Sequence, residues 1–340
     1  MSLFETTRDD ETWSTWLASA GIQDVYYSAR YAQIWAREER GSFVGIRYES
    51  PTGRMFYPLL LVPLDRLPGG SGLLEARTPY DFGGPWGDST DLEALHREFR
   101  VELFGWFRSR NVISEFARIH PLRKGGQPTD AKLHAENFIV DLTVPYDDLF
   151  SSQHRRHRRA VRAFNRGNGE PDVVTEISLE DVSVFTELYA RTMSRVAASL
   201  AYRFSGSTLS TLMSLDEMCM VRATRETRTS GAALFLRSDH DLFYFLGASA
   251  DDRPAGTNNA IFDAAIRHAQ SLGLQTLHLG AGSESLRDFK SQIATGTVPY
   301  SLVQRVVDEP RYAAICEACG VSDSSHFPAF HPKLVERRES

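Results

Sequence analysis

The sequence predicts an α/β (α+β) protein of two tandem domains, each a mixed twisted sheet flanked by helices, with a cleft at their junction. Three observations carry this prediction. Strand-like and helix-like periodicities alternate along the chain. The order strand, strand, glycine-containing loop, helix, strand occurs before residue 120 and again before residue 280. A chain of 340 residues is long enough for two domains of ordinary size, so a duplicated domain accounts for the repeat.

The first copy of the repeat follows two helical patterns, near residues 12–20 and 29–40. Two predicted strands come next, SFVGIRYE and MFYPLLLVPL, and they are joined by the turn SPTG. TPYDFGGPWG is a loop, residues 92–108 form a helix, and VISEFARIH is a buried strand.

The second copy begins with MCMVRATRE and GAALFLR, which flank the polar stretch TRTS, and continues with the strand LFYFLGAS. ADDRPAGTN is a Gly/Pro loop. Residues 258–272 carry apolar side chains at helical spacing, and Gly273 marks the C-terminal stop of that helix. LQTLHLG closes the copy as a strand.

The composition excludes several classes of protein. A hydrophobic share of 42% and a charged share of 24% are those of a globular chain, so disorder and fibres are excluded. The net charge of −6 argues against a general nucleic-acid binder, so any polyanion contact has to be local. The acidic N-terminus has no secretory pattern, and FYPLLLVPL is too short to span a bilayer. We expect a cytoplasmic protein without membrane insertion.

Three cysteines cannot build a disulfide framework. Cys316 and Cys319 form a CxxC pattern that His326 and His331 follow. The six residues between Cys319 and His326 are too few for a zinc finger, and RYAAICEAC also has a helical pattern in which cysteines pack as small apolar residues. We expect no metal site.

A basic stretch, FSSQHRRHRRAVRAFNRGNG, separates the two copies. It predicts a helix over residues 152–166 that Ser151 or Ser152 caps and that ends at Gly167 or Gly169.

Arginines follow one side of this helix at steps of three and four, whereas Val161 and Phe164 lie elsewhere on the helical wheel. No acidic residue occurs within the stretch, so the arginines have no local i,i+4 partner. The pattern fits either a solvated helix face or a contact for a polyanion. The candidates for that contact are Arg155, Arg156, Arg158, Arg159 and Arg162.

The loop RPAGTN precedes a helix whose N-terminal amides could hold an anion. Arg253 and Gly256 match the pattern with which acyltransferases hold the coenzyme A pyrophosphate. Asn258 stands where a small residue belongs, and its side chain would crowd the pyrophosphate. GAGSES lacks the third glycine of a dinucleotide fingerprint, and the P-loop, GxSxG and HExxH patterns are absent from the sequence.

Polar residues stand near the strand ends of both copies, where a cleft would open. Each one alone fits a solvent-facing position or a satisfied hydrogen bond in the core. Together they predict a ligand pocket. They are Tyr80, Asp81, Glu115, Arg118, His120 and His278. Arg191 and Arg195 lie one helical turn apart and either face the same pocket or form surface ion pairs.

The sequence resembles the Fem-type branch of the GCN5-related N-acetyltransferase (GNAT) superfamily, including the BioF2-like acetyltransferase domain. The segments that carry the resemblance run in family order from residue 78 to residue 290. They are TPYDFGGP, SEFARIHPL, RRAVRAFNRG, LYARTMSRVAASLAYRF, FLGAS, LHLGAGS and DFK.

The resemblance implies functional roles for particular residues. A lysine directly after a phenylalanine is implicated in catalysis in this family, which here corresponds to Phe289 and Lys290. An arginine on the second-domain helix that holds substrate phosphate corresponds by position to Arg195. The usual tyrosine before the Gly-Ala-Ser turn is Leu246 here, and Tyr244 lies on the same strand face. The remaining substrate-binding candidates are Tyr202, Tyr244 and Asn258.

The resemblance implies transfer of an aminoacyl group from aminoacyl-tRNA to an amine. With that donor, we expect the basic helix to bind the phosphates of the tRNA. The alternatives are an acyl-coenzyme A-dependent N-acyltransferase acting on a small amine or amino sugar, and a non-catalytic GNAT-like binding module. We expect no tightly bound cofactor, because the donor is a co-substrate. The predicted domains are residues 1–148, joined by 308–340, and residues 149–307. The oligomeric state, the transferred group and the acceptor stay open.

Overall fold

A computed structural model describes residues 2–123, 128–167, 169–321 and 326–330. The described strands are β1 (Leu3–Thr7), β2 (Ser42–Ser50), β3 (Gly53–Pro63), β4 (Leu74–Arg77), β5 (Trp86–Asp88), β6 (Val112–Arg118), β7 (Lys132–Asp141), β8 (Gly169–Val174), β9 (Met218–Arg225), β10 (Arg228–Arg237), β11 (Asp241–Ser249), β12 (Thr276–Gly280) and β13 (Gly296–Val306).

The described α-helices are α1 (Asp10–Ser19), α2 (Ala29–Glu38), α3 (Leu92–Ser109), α4 (Tyr146–Ser152), α5 (Arg155–Arg166), α6 (Leu179–Arg195), α7 (Gly206–Met213), α8 (Thr257–Ser271), α9 (Glu284–Ser291) and α10 (Glu309–Ala318). Short 3-10 helices cover Val25–Tyr27 and Leu200–Tyr202. Several of these helices have an N-cap side chain that accepts a hydrogen bond from an amide of the first turn. Asp91 accepts from the amide of Ala94 at α3, and Ser178 with Asp181 forms a capping box at α6.

The chain divides into two compact units, residues 1–134 with 299–340 (unit 1) and residues 135–298 (unit 2). In unit 1 the strand order is β1-β2-β3-β4-β6-β13, and β5 pairs with β3. All of these pairs are antiparallel except β4 with β6. Helix α3 connects the two halves of the sheet, and its buried face, including Leu95, Phe99 and Phe107, packs on alternating residues of β2 and β3.

In unit 2 the strand order is β7-β12-β11-β10-β9-β8, and β11 with β12 is again the parallel pair. Helix α8 makes the crossover between these two strands, as a parallel pair requires. Its buried residues Ile261, Phe262 and Ile266 join a core with Phe235 and Leu277.

The two units therefore repeat one arrangement: four strands in antiparallel order, a helical crossover, a parallel strand and a final antiparallel strand. This confirms the predicted α/β class with tandem domains. The sequence pattern did not predict β1, β7, β8 and β13. It also did not predict β4, which stands in the first copy where LFYFLGAS stands in the second. Its sequence LEAR is only four residues long and half charged, although Glu75 and Arg77 are both buried and pair with each other at 2.8 Å.

The predicted basic helix is confirmed over residues 155–166, but its predicted start is wrong. Ser151 and Ser152 belong to the preceding helix α4, and Gln153 and His154 are extended. The N-cap is His154, whose Nδ1 accepts from the amide of Arg156. The helix ends at Gly167, as predicted.

The C-terminal segment contains α10. Its Tyr312 and Cys316, together with Cys319 directly after the helix, pack against a cluster that includes the buried Ile315 and Phe330. His331 lies outside the described residues. Within the described ranges, no helix combines the length and the apolar character needed to cross a bilayer.

Candidate functional site

The parallel strands of unit 2 part soon after they pair. Residues 241–243 of β11 pair with residues 276–278 of β12, and β11 then continues to Ser249 paired with β10 on its other side. The chain leaves β12 at Gly280, whose φ of 72° lies in the left-handed region that favours glycine. We call this opening, between residues 244–249 and residues 279–281, the unit 2 strand split.

Lys290 lies at the unit 2 strand split. It occupies the last turn of α9, and only 5% of its surface is exposed. Its Nζ donates a hydrogen bond to the carbonyl of Ala281 and lies 5.2 Å from the centroid of the Tyr244 ring. A helix C-terminus, a carbonyl and an aromatic face all stabilise a cation. The ammonium is therefore held inside the protein rather than in bulk water.

Aromatic side chains surround this lysine. Phe289 contacts Phe262 of α8 at a ring-centroid distance of 5.6 Å, and Tyr244 contacts Phe262 at 4.9 Å. Burial raises the pKa of Tyr244 to about 12, so this phenol stays neutral. The predicted catalytic pair Phe289 and Lys290 and the predicted binding residue Tyr244 are thus brought together.

The loop of residues 253–258 leads into α8 beside this cluster. A concave surface is lined by Asp251, residues 253–259 and Phe289. Arg253 is exposed there, and Asn258 is half-buried. Gly256 adopts φ 89° as the N-cap of α8, and a Cβ at this position would lie 2.4 Å from the carbonyl oxygen of Ala160. The glycine is therefore required for the contact with α5.

Helix α5 presents the predicted arginine face to solvent. Arg155, Arg156, Arg159, Arg162 and Arg166 are exposed and Arg158 is partly exposed, whereas His157, Val161 and Phe164 are buried on the other side. No ion pair joins any of these six arginines to another residue within the described ranges. Arginines of other helices are paired, such as Arg97 with Glu93 and Arg267 with Asp263.

The start of α5 is tied to the end of α9. The amide of His154 donates to the carbonyl of Gln292 at 3.0 Å. The side chain of Gln153 donates to the carbonyl of Ile293 at 3.1 Å. Farther along α5, Nδ1 of His157 lies 2.9 Å from the side-chain nitrogen Nδ2 of Asn259 in α8. Sequence reasoning missed Gln153 and His157, for which the only signal is a polar residue on the apolar side of a basic helix.

Arg195 lies at the end of α6 next to the loop after β11. It donates to the carbonyl of Ser249 at 3.1 Å and pairs with Asp251, which also lines the concave surface at α8. Arg191 instead pairs with Glu187 on the helix surface at 2.5 Å. Tyr202 is 46% exposed, and its carbonyl accepts from the hydroxyl of Tyr189.

His278 is buried in β12, where its ring contacts Phe243 at 5.0 Å. Its neighbours Leu277 and Leu279 pack in the core formed with α8. Because side chains alternate along a strand, His278 points to the face of the sheet opposite to α8.

Four of the predicted residues lie on one side of unit 1. Tyr80 stacks on Trp35 at 4.6 Å, and the guanidinium of Arg118 lies 5.8 Å from the Tyr80 ring. Asp81 has φ 68° and accepts from the hydroxyl of Tyr26 at 3.0 Å.

His120 completes this group. Its Nε2 lies 3.3 Å from Asp24, yet burial lowers the pKa of His120 to about 4, so the ring is neutral.

Glu115 does not join these residues. It points to the opposite face of β6, where it accepts from Tyr57 at 2.8 Å and pairs with Arg305. Burial raises the pKa of Glu115. A carboxylate that is occupied by Arg305 and Tyr57 is poorly placed to take a proton from a substrate.

Comparison with known proteins gives one matching family model and several structures of similar fold. Residues 151–291 match a family model described as an acetyltransferase (GNAT) domain. No curated protein matches the sequence significantly.

Several solved structures share the fold. The structure of FemX is 13% identical and covers 92% of this chain and 99% of its own, with a TM-score of 0.66. L-PGS from Bacillus licheniformis is 13% identical, with coverages of 97% and 96% and a TM-score of 0.54. A conserved protein from Bacteroides thetaiotaomicron is 11% identical, with coverages of 89% and 99% and a TM-score of 0.53.

Residues 151–291 thus match a GNAT acetyltransferase domain. The chain as a whole shares its fold with FemX and L-PGS, which confirms the Fem-type resemblance at the level of the fold.

Proposed function

We propose that this protein transfers an aminoacyl group from aminoacyl-tRNA to an amine acceptor and so forms an amide bond without the ribosome. The observation that carries the choice of donor is α5. Its arginines have no ion-pair partner among the described residues, and the two residues before it are hydrogen-bonded to Gln292 and Ile293, directly after the helix that carries Lys290. The likeness in fold to FemX and L-PGS supports the Fem-type resemblance, which implies this class of reaction.

In the proposed reaction the acceptor amine attacks the ester carbonyl carbon of the donor. The new C–N bond forms, and the carbonyl oxygen becomes a tetrahedral oxyanion. Lys290 donates a hydrogen bond to that oxygen, because its ammonium is fixed at the unit 2 strand split by Ala281 and Tyr244. One such donor contributes roughly 3 kcal/mol to transition-state stabilisation. Collapse of the intermediate breaks the C–O bond to the ribose.

The proton of the attacking amine needs an acceptor other than Lys290, because a charged ammonium has no lone pair. Among the protein candidates, Glu115 is paired with Arg305, and Asp81 accepts from Tyr26. His278 points away from the α8 side of the sheet. We therefore assign the relay to the neighbouring ribose hydroxyl of the tRNA, which passes the proton to the departing ribose oxygen.

The phosphates of the tRNA acceptor stem lie along α5 in this proposal. Arg155, Arg158, Arg159 and Arg162 would replace counterions on the stem, which makes binding strongly salt-dependent. Arg253 and the N-terminal amides of α8 would hold a phosphate near the aminoacyl end. Arg195 pairs with Asp251 at the edge of this surface and would take a further phosphate.

Transfer from acyl-coenzyme A is the second candidate. The left-handed Gly256, the exposed Arg253 and the concave surface at the start of α8 favour it. Two observations oppose it. The close contact explained by Gly256 is with α5, and Asn258 lines the concave surface at the position where the coenzyme A pattern has a small residue.

One experiment separates these reactions. The protein is incubated with a panel of primary amines and either a mixture of charged tRNAs or acetyl-coenzyme A. We expect the tRNA ester to be discharged only when both enzyme and amine are present. Release of free thiol from acetyl-coenzyme A without tRNA discharge would establish the second candidate, and activity with neither donor would indicate a non-catalytic binding module.

A further inference from the structure

Helix α5 and the residues before it have a buried side that is not uniformly apolar. Val161 and Phe164 are typical core residues there, whereas Gln153 and His157 are polar. Gln153 is 5% exposed and His157 is fully buried. Burying an amide or an imidazole costs free energy unless hydrogen bonds replace those with water. The hydrogen-bond partners of these two side chains therefore indicate what their burial contributes.

Gln153 reaches the turn that follows the helix of Lys290. Its Nε2 donates to the carbonyl of Ile293, and the amide of Ile293 donates to the carbonyl of Lys290 at 3.0 Å. Two hydrogen bonds thus link Gln153 to the backbone of Lys290. A shift of the start of α5 would break the first of them.

His157 reaches the first turns of α8. Its Nδ1 contacts the side-chain amide of Asn259, next to Asn258 on the concave surface. The backbone of α5 also approaches Gly256 closely at Ala160. Burial lowers the pKa of His157 to about 4, so at neutral pH the ring is uncharged and one ring nitrogen can accept a hydrogen bond.

We infer that Gln153 and His157 are positioning residues, which hold the arginine face of α5 in register with Lys290 and with the loop of residues 253–258. This inference rests on the proposed tRNA donor. A stem bound along α5 then delivers its aminoacyl end to the lysine. Because α5 and Lys290 bind different parts of one long ligand, the distance between them has to stay fixed. A small displacement of the reacting groups lowers the rate of such a reaction strongly.

The length of the donor separates positioning from a merely structural role. A full charged tRNA contacts α5 and the lysine together, so its affinity depends on the register between them. An aminoacyl ester of the terminal dinucleotide cytidylyl-adenosine is too short to reach along α5. Its affinity depends only on the surface around Lys290 and α8.

The experiment compares dissociation constants of both donors for His157→Leu, Gln153→Leu and the control Val161→Ala. The control removes core packing from the same side of α5 and leaves both hydrogen bonds intact. For each of the two Leu variants we expect the Kd of bulk charged tRNA to rise about 10-fold. The Kd of the dinucleotide ester should stay within twofold, and the control should change neither.

Equal weakening of both donors, or no weakening of tRNA, in both Leu variants would overturn the positioning role while leaving the tRNA donor intact. The variants are independent, so a folding failure of one leaves the other as the test. A wild-type protein that binds acetyl-coenzyme A and no charged tRNA would overturn the proposed function, and this inference with it.

Discussion

The strand split of unit 2 has a counterpart in unit 1, and the two are built differently. In unit 1, β4 and β6 pair up to Arg77 and Phe116, and Gly83 then continues the contact with two backbone hydrogen bonds of 2.9 Å, to Arg118 and His120. In unit 2, the pairing of β11 with β12 ends at Phe243 and His278. The buried ammonium of Lys290 lies just beyond the point where the pairing of β11 with β12 stops.

The side chains repeat this difference. In unit 1 the ring of Phe82 packs at 5.8 Å on both Tyr26 and His120. In unit 2 an aromatic ring, that of Tyr244, faces a cation instead. One copy of the fold is thus closed by backbone and aromatic contacts, whereas the other keeps a fixed charge at the same place. We assign the chemistry to unit 2 and a structural role to the split of unit 1.

Replacing the charge in unit 2 should have the largest effect. Lys290→Met keeps the length of the side chain and removes the oxyanion donor, so we expect turnover to fall about 100- to 1000-fold. Donor affinity should stay within a few-fold. Single-turnover discharge of charged tRNA measures this, with the exposed Lys132→Met as the control. Unchanged turnover would remove Lys290 from the mechanism.

Removing the charges of the α5 arginines, which have no ion-pair partner among the described residues, should have the second-largest effect. Replacing Arg155, Arg158, Arg159 and Arg162 by Gln should weaken tRNA binding about 100-fold at low salt. It should also reduce the slope of log Kd against log salt by about 0.9 for each lost phosphate contact. The ion-paired Arg97→Gln is the control, for which we expect no change. A slope equal to that of the wild type would place the tRNA elsewhere.

Acid should destabilise both units through their buried histidines. The pKa values of His120 and His157 are lowered to about 4, from about 6.5 when unfolded, so the unfolded chain binds more protons between these values. Each histidine should therefore make the free energy of unfolding fall by up to about 1.4 kcal/mol per pH unit as pH drops from 6.5 to 4.

Urea unfolding at several pH values measures this dependence. His120→Asn and His157→Leu should each flatten the pH profile. A variant with the wild-type profile would show that its histidine is charged in the folded state.

The smallest effect is expected in unit 1. Tyr26→Phe removes the hydroxyl that donates to Asp81, so the free energy of unfolding should fall by about 1 kcal/mol. Donor affinity and discharge of tRNA should stay within twofold, because the donor site belongs to unit 2. A loss of donor affinity at unchanged stability would contradict the structural role of the unit 1 split.

Periodicity was sufficient to predict the repeat, its crossover helices and the strands around them, but not β1, β7, β8 and β13 at the edges of each unit. It also failed at β4, because this strand has only four residues and two of them are a buried pair of charges. It also missed the extended residues before α5, because a hydrogen bond to Gln292, far along the chain, decides that conformation. Contacts of this kind leave no local pattern.

The site was predicted less completely than the fold. The resemblance pointed to Phe289 and Lys290, but α9 is polar in sequence, so the burial of Lys290 could not be read from it. Glu115 and Arg118 were grouped because both interrupt one strand, yet they point to opposite faces. The roles of Gln153 and His157 depend on partners more than 100 residues away.

The most direct measurement is a crystal structure of the protein with a stable donor analogue, in which an amide replaces the ester between an amino acid and the terminal adenosine of cytidylyl-adenosine. We predict that Nζ of Lys290 lies about 3 Å from the acyl carbonyl oxygen, at the unit 2 strand split. A carbonyl oxygen bound beyond hydrogen-bonding distance of Nζ, with the analogue ordered, would contradict the assignment of the chemistry to this lysine.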